Sequence, residues 1–232
     1  MTTTEINLLN LASSCQDIDF DGLIYSGGFL YATNKKVLVR TRFEYPKSSE
    51  GKILRANGRY SDIDSYSLYK VRECASQYEK GRGRDNVEMS VLRIMLSFAE
   101  VYNRYAKDKI EYIRINEALY NLSSLTFMTS YAENFGLFMA GTSRIKDNRV
   151  LISRDSENVI LNSEFRPEGA DFAYIDYKNA SLVFAEMNIP KLKAVITKKL
   201  DKAKADNKSQ AKLKEFQKDL SIINEFTAIK NG

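Results

Sequence analysis

The sequence predicts an α+β protein of two similar modules, each a helix followed by antiparallel strands, with a C-terminal helical extension. Two observations support this class. Apolar residues recur at helical spacing in some segments and alternate with polar residues in others, and glycine or asparagine turns separate the alternating runs. Residues 189–232 then change to a lysine-rich helical pattern. With 232 residues, of which 44% are hydrophobic, the chain can bury a core without disulfides or metal.

The first module is predicted over residues 1–80. Residues 5–14 are expected to form a short helix, because their leucines crowd one side and Thr2 and Glu5 have capping-box spacing. Residues 22–33 predict a hairpin whose turn contains two glycines. Residues 37–43 alternate in polarity, which predicts a half-buried strand with Leu38, Arg40 and Arg42 on its outer face. The segment 53–67 is ambiguous.

A polar, basic segment at 77–86 is the predicted boundary, and the second module covers 86–188. Its expected elements, in chain order, are a helix at 86–108, a strand at 110–115, a helix at 116–134, and strands at 136–142, 149–154, 159–165, 172–176 and 181–187.

The third segment, 189–232, is predicted to be a basic helix that starts at Pro190. Its middle, 201–210, is nearly all polar, so the helix either breaks there or stands in solvent. The segment holds 11 Lys against 5 acidic residues, whereas the whole chain has a net charge of +5. Nearly the entire basic excess therefore lies in this segment.

Composition excludes several kinds of chemistry. The chain has no His, so it lacks the commonest zinc ligand and every Ser-His or Cys-His catalytic pair. Cys15 and Cys74 are too few for a cysteine-rich zinc site. No carboxylate pair stands out as a general acid and base. We therefore predict a protein that is not an enzyme and needs no cofactor or metal. The alternative is an enzyme with an unrecognised carboxylate or Tyr/Lys site.

Targeting signals are also lacking in the sequence. No segment approaches the roughly 18 apolar residues that span a bilayer. The first five residues lack the basic and apolar regions of a signal peptide. We expect a cytoplasmic protein with no membrane partner and with reduced cysteines.

A partial calcium-loop pattern occurs at residues 17–22, with aspartates at positions 1, 3 and 5 and glycine at position 6. The twelfth position, where the loop needs a bidentate Glu, is Gly28. A charged entry to a strand is therefore favoured over calcium binding.

Two further patterns, S-x-x-K and GRGR, are too short to identify a site by themselves. Ser67–Lys70 and Ser209–Lys212 have S-x-x-K spacing, but the companion motifs of β-lactamase-type enzymes are missing. The GRGR segment at 81–84 predicts either a solvated linker or a flexible contact to phosphates through its two guanidinium groups.

The order of motifs in the first 75 residues follows a known pattern. A Leu-rich helix (INLLNLAS) precedes a strand ending in Ala32-Thr33-Asn34, a Lys-Lys turn, the strand from Val37, and the continuation EGKIL. This order resembles the bacterial and phage sliding-clamp family, the β subunit of replicative DNA polymerase. That family usually has Asp at the position of Asn34 and Gly-His in place of the Lys-Lys turn. Ile113–Ile115, the helix from 116 and residues 135–161 are similar in order to a second clamp module.

The resemblance implies a non-catalytic processivity factor of DNA replication or repair, from a phage or mobile element. Clamps are rings of about six modules whose helices face duplex DNA without reading its sequence. Two modules per chain then imply a homo-trimer. The implied partners are duplex DNA and a DNA polymerase or another replication protein.

The predicted helices at 5–14 and 116–134 carry no Lys or Arg, so DNA contact is assigned to the basic residues elsewhere. For the lysines of the last segment, the alternative is a solvated helix face. These are Arg82, Arg84, Arg93, Arg104, Lys107, Lys191, Lys193, Lys198, Lys199, Lys202 and Lys204.

An alternative function is an interaction module that keeps the clamp-like fold as a monomer or dimer without encircling DNA. Its last helix would dock on a partner through an apolar stripe of Leu213, Phe216, Leu220 and Ile223.

Overall fold

The computed structural model describes residues 2–13, 20–79, 86–115, 118–131, 136–140, 150–154, 158–162 and 171–231. Within these ranges the chain forms six α-helices and two sheets that are mainly antiparallel, which confirms the α+β class. No helix in the described ranges is both long and apolar enough to cross a membrane.

The helices are α1 (Thr3–Ser13), α2 (Ser65–Glu79), α3 (Met89–Tyr105), α4 (Leu122–Tyr131), α5 (Ile189–Ala205) and α6 (Gln210–Asn231). The strands are β1 (Gly22–Ser26), β2 (Phe29–Thr33), β3 (Val37–Arg42), β4 (Lys52–Arg55), β5 (Tyr60–Asp62), β6 (Asn86–Val87), β7 (Tyr112–Ile115), β8 (Ala118–Asn121), β9 (Gly136–Ala140), β10 (Val150–Arg154), β11 (Asn158–Asn162), β12 (Tyr174–Asp176) and β13 (Ser181–Val183).

The chain divides into two compact units that alternate along the sequence. Unit 1 comprises Met1–Val87 and Phe127–Ser163, and unit 2 comprises Glu88–Thr126 and Glu164–Gly232. The expected modules, by contrast, are consecutive (1–80, 86–188 and 189–232), and that repeat with its clamp-like layout stays a prediction.

Unit 1 is organised around a nine-stranded antiparallel sheet in the order β5-β4-β1-β2-β3-β11-β10-β9-β6. The junction between early and late strands is the β3–β11 pair, in which Val39 lies opposite Val159. Strands separated by more than 100 residues in the chain therefore share one sheet.

Helix α1 is capped and attached to the sheet by a single carboxylate, that of Glu5. The predicted capping box is confirmed: the Thr2 amide donates to Glu5 Oε2 at 2.7 Å and the Glu5 amide donates to Thr2 Oγ1 at 3.2 Å. The buried Tyr25 hydroxyl, on β1, donates to Glu5 Oε1 at 2.9 Å. The helix start and its position on the sheet thus depend on the same side chain.

Helix α2 covers the opposite face of the sheet. Val71 and Ala75 of α2 pack in one cluster with Ile24, Tyr31 and Leu38. Because successive strand residues point to opposite faces, Ile24 faces α2 while its neighbour Tyr25 faces α1.

The expectation of a half-buried β3 was therefore wrong. Leu38 is 7% exposed and Arg40 is 8% exposed, since α2 covers the face that the alternating pattern assigned to solvent. The Arg40 guanidinium lies 4.7 Å from the centroid of the Phe29 ring, which gives a buried charge an aromatic surface. Arg42, at the end of β3, is exposed as expected.

The predicted hairpin is confirmed as β1 and β2, joined by Gly27 and Gly28 at φ of 61° and 76°. The next turn is held by Asn34, whose Oδ1 accepts the amide of Val37 at 2.8 Å. These two turns align three consecutive strands, the best-predicted part of the fold.

Unit 2 combines a four-stranded sheet, in the order β13-β12-β7-β8, with helices α3, α5 and α6. Strands β7 and β12 are parallel and the other pairs are antiparallel. The fully buried rings of Phe98 on α3 and Phe226 on α6 stack with centroids 3.9 Å apart. This stack joins the last helix of the chain to the core of the unit.

After residue 86, several helices and strands differ from those expected from the sequence. The helix expected at 116–134 is instead the strand β8 followed by the shorter helix α4, because Leu119 and Tyr120 are buried as strand residues paired with β7. The helix expected at 86–108 begins only at Met89, after the short strand β6. The strands expected at 136–142, 149–154, 159–165, 172–176 and 181–187 correspond to β9 to β13. Of these ranges, 141–142, 149 and 163–165 lie outside the described residues, whereas β12 starts two residues later and β13 ends four residues earlier than expected.

The double role of Glu5 predicts unequal costs for two substitutions. Glu5→Ala removes the helix cap and the acceptor of the buried Tyr25 hydroxyl, and should lower the free energy of unfolding by about 2–3 kcal/mol. Tyr25→Phe keeps the cap and should cost only about 1 kcal/mol. Urea unfolding at neutral pH, followed by circular dichroism, measures both.

The stabilisation that the Glu5 carboxylate provides should also depend on pH. Burial alone would raise the pKa of Glu5, but hydrogen bonds from Thr2 and Tyr25 outweigh it and hold the pKa below its ordinary value of 4.5. The stabilisation is then complete above pH 4.5 and is lost as the pH falls through the lowered pKa. The gap between the wild type and Glu5→Ala should narrow toward acid pH; a gap that stays constant would contradict this role.

Candidate nucleic-acid interface

The basic C-terminal segment folds as a hairpin of two helices within unit 2. Asn188 caps α5, since its side chain accepts the amide of Lys191 at 2.9 Å, and Pro190 occupies the first turn as predicted. The chain leaves α5 through Asn207, which adopts a left-handed φ of 49°. The polar segment at 201–210 therefore breaks the helix, which settles the two alternatives left open by the sequence.

One face of each helix is packed into the unit. The buried residues of α5 recur every three or four positions, at Leu192, Ile196, Leu200 and Ala203. Those of α6 are Phe216, Asp219, Ile223 and Phe226. Helix α3 contacts both helices, so the opposite face of the hairpin is held in a fixed orientation.

A buried carboxylate lies within this packed face. Asp219 is fully buried, and its Oδ2 accepts the Tyr105 hydroxyl at 2.7 Å. Arg104 Nη1 donates to the same oxygen at 3.2 Å and lies 3.0 Å from Oδ1. Burial, and then the hydrogen bond to the Asp219 carboxylate, raise the pKa of Tyr105, so this hydroxyl stays a donor. The group joins α6 to the end of α3.

Two acidic residues of α6 are held by basic partners, whereas Asp206 and Glu225 of the hairpin are exposed. Asp219 is buried against Arg104, and Glu215 accepts Lys212 Nζ at 2.8 Å. The hydrogen bond from Lys212 lowers the pKa of Glu215, which keeps this carboxylate ionised and paired. Asp201 lies 3.9 Å from Lys204.

Three exposed lysines form a stripe along α5, which we call the lysine face: Lys191, Lys198 and Lys202. Their spacing of seven and four residues places them on one side of the helix, turned away from the buried stripe. None of the three forms an ion pair with a described carboxylate. Lys199 stands beside this face, with Nζ 4.8 Å from the centroid of the Tyr105 ring.

The other residues predicted to bind DNA are dispersed. Lys193 Nζ donates to Asn224 at 2.9 Å, so it faces α6. Arg93 is exposed on α3, and Lys107 is exposed just beyond the end of that helix. Arg104 serves the buried Asp219. Arg82 and Arg84 lie outside the described residues.

The apolar stripe that was expected to dock on a partner lies in the packed face of α6. Phe216 is 7% exposed and Ile223 is fully buried, while Leu213 and Leu220 are partly buried. Phe216 and Ile223 thus serve the core of unit 2 in this structure.

The S-x-x-K pairs, the calcium-like pattern and the cysteines form no recognisable site among the described residues. Lys70 of the first S-x-x-K pair stacks on Tyr66 at 4.2 Å, and Ser209 of the second accepts the amide of Lys212 at the start of α6. Asp21 of the calcium-like pattern pairs with Arg55, whereas the other two aspartates lie outside the described residues. Among the residues that are described, no group of three metal-ligating side chains occurs. Cys74 is a free thiol whose pKa burial raises to about 11, and Cys15 is not described.

The Asp219 group was missed at the level of sequence. The available signal was one acidic residue at a core position of α6, three residues after Phe216 and four before Ile223. A carboxylate at that position requires a buried partner.

Comparison with known proteins gives no relative: no family model matches the chain, and neither a curated protein nor a solved structure is significantly similar to it. The similarity to sliding clamps stays a prediction.

The buried pair predicts that Arg104 matters for stability. Arg104→Ala should lower the free energy of unfolding by about 2–3 kcal/mol, below the usual range for a buried pair because the Arg104 side chain is 42% exposed. Lys107→Ala, at an exposed position just beyond the same helix, should cost less than about 0.5 kcal/mol. Urea denaturation of both variants provides the measurement.

A double variant separates the ion pair from general packing. Replacing both partners, Arg104→Met with Asp219→Leu, removes the buried charge and should be less destabilising than Arg104→Ala alone. A double variant that is as unstable as the sum of the single variants would contradict the proposed pairing.

Proposed function

We propose that this protein is a non-catalytic accessory protein of DNA replication or repair that binds the duplex backbone through the lysine face of α5. The observation that carries the proposal is the arrangement of Lys191, Lys198 and Lys202. They are exposed, aligned and free of described acidic partners, on a helix whose other side is packed.

The geometry suits a regular polyanion. Lys191 and Lys202 are 11 positions apart on the helix, which is about 16 Å at 1.5 Å per residue. A duplex carries one charge per roughly 1.7 Å of axis, so a stripe of this length lies beside several phosphates. Lysine binds phosphate as a point charge on a flexible stem, which gives affinity without sequence readout.

The setting in replication and the ring assembly come from the sequence resemblance. A clamp-like ring would require three chains, with a polymerase-type protein as partner. The net charge of +5 agrees with binding to nucleic acid but does not select this assembly.

A second candidate function is a protein-interaction module without DNA encirclement. The observation that favours it lies on α2, where Tyr66 and Tyr69 are 64% and 59% exposed. Tyrosine is enriched among residues that dominate binding energy at protein interfaces. This surface replaces the α6 stripe as the docking face in that alternative.

The lysine face predicts a specific loss of DNA binding. The variant Lys191→Gln, Lys198→Gln, Lys202→Gln should bind a duplex of about 20 base pairs at least tenfold more weakly at about 100 mM salt. Fluorescence anisotropy with two unrelated duplex sequences measures the affinity, and both sequences should lose it equally.

A matched control removes the same charge elsewhere. Lys36, Lys70 and Lys178 are exposed lysines outside the hairpin, and their replacement by Gln should change the affinity by less than about threefold. Equal losses in the two triple variants would reduce the effect to net charge and would refute an interface on α5.

A further inference from the structure

A cleft of about 850 Å³ opens beside the β1–β2 turn of unit 1. Gly28 lines it, and a Cβ added there would meet no atom within 4 Å, so the space beside the turn is open. Phe43 and Tyr45 are among its lining residues.

Tyr45 is fixed in one orientation. Its hydroxyl donates to Glu50 Oε2 at 2.6 Å and accepts the Gly28 amide at 3.0 Å. Its ring contacts that of the buried Tyr25 at a steep angle of 69°, with centroids 5.2 Å apart. A ring that is held by its hydroxyl and by a second ring is a preorganised wall for a ligand.

Glu50, which also lines the cleft, is committed to the turn. Its carboxylate accepts the Ser26 hydroxyl and the Gly27 amide, both at 3.1 Å, in addition to the Tyr45 hydroxyl. These hydrogen bonds, that of Tyr45 first, hold the pKa of Glu50 below its ordinary value. Little of its acceptor capacity is left for a ligand.

Two cations of the cleft are uncommitted. Arg42 and Lys47 are exposed, and neither forms an ion pair with a carboxylate in the described part of the chain. The Arg42 guanidinium lies only 5.9 Å from the Phe29 ring, a weak contact that leaves its donors available. Glu44, also exposed, supplies one acceptor at the same cleft, which matches an amino group of a nucleobase.

We propose that this cleft binds one nucleotide of a single-stranded nucleic acid. The phosphate contacts Arg42 and Lys47, and the base lies against Tyr45 and Phe43. Cations beside a fixed aromatic ring are the combination that holds single strands without strong sequence preference. The inference deepens the proposed nucleic-acid function and rests on it, because it adds a single-strand contact in unit 1 to the duplex contact of α5.

The test uses the full chain and a DNA strand of about five nucleotides with 2-aminopurine at its centre, whose fluorescence falls when the base stacks. The wild type should quench this fluorescence, and Arg42→Gln with Lys47→Gln should weaken binding about tenfold. The matched control, Arg59→Gln with Lys36→Gln, removes the same charges from exposed positions of unit 1 and should stay within about twofold.

The variant of the lysine face separates the two proposals. If Lys191→Gln, Lys198→Gln, Lys202→Gln loses duplex binding but keeps the quenching, both sites are supported. Quenching by a protein that does not bind duplex DNA would refute the proposed function and leave the cleft supported. Absence of quenching with the wild type, or its loss only in the lysine-face variant, would overturn the cleft. Displacement of the strand by an equal concentration of an acidic peptide would also overturn it, in favour of a peptide site.

Discussion

The burial of β1, β2 and β3 on both faces is the constraint on which unit 1 depends. Leu23, Leu30 and Val39 point to the α1 side, and Ile24, Tyr31 and Leu38 to the α2 side. A sheet with two apolar faces needs a cover on each, so α1 and α2 are both required. The attachments of these covers differ: α1 is held by the Glu5 carboxylate to Tyr25, whereas α2 is held by apolar packing of Val71 and Ala75.

Unit 2 buries an acidic group in its interior and exposes basic groups on the outer side of α5. Inside, Asp219 is paired with Arg104 and accepts the Tyr105 hydroxyl, which joins α6 to α3. Outside, the lysine face of α5 has no described acidic partner. Placing an acid in the core while leaving the lysines in solvent raises the positive potential of the exposed side, and the packed side gives that potential a fixed direction. The proposed DNA contact depends on both parts.

Local signals made much of the fold predictable, and the failures have physical causes. The Thr2–Glu5 spacing, the paired glycines of the β1–β2 turn and the polar break after α5 each act within a few residues. Helix α2 was missed because its buried positions are few, with Val71 and Ala75 among many polar residues. That omission also produced the error at Leu38, since burial of an outer face depends on a distant segment.

The sequence is sufficient to find the lysines of the candidate site. It is not sufficient to tell which basic residues are exposed and which are packed or paired inside unit 2. Only packing shows that Lys193 faces α6, that Arg104 serves a buried acid, and that the side shared by Lys191, Lys198 and Lys202 is exposed. The central claim is tested most directly by the salt dependence of duplex affinity. If these three lysines and Lys199 contact phosphates, log affinity should fall with log salt concentration at a slope of about −3 to −4, and a variant without the lysine face should show a slope nearer to −1. A slope near zero, or one that is unchanged in the variant, would contradict the account.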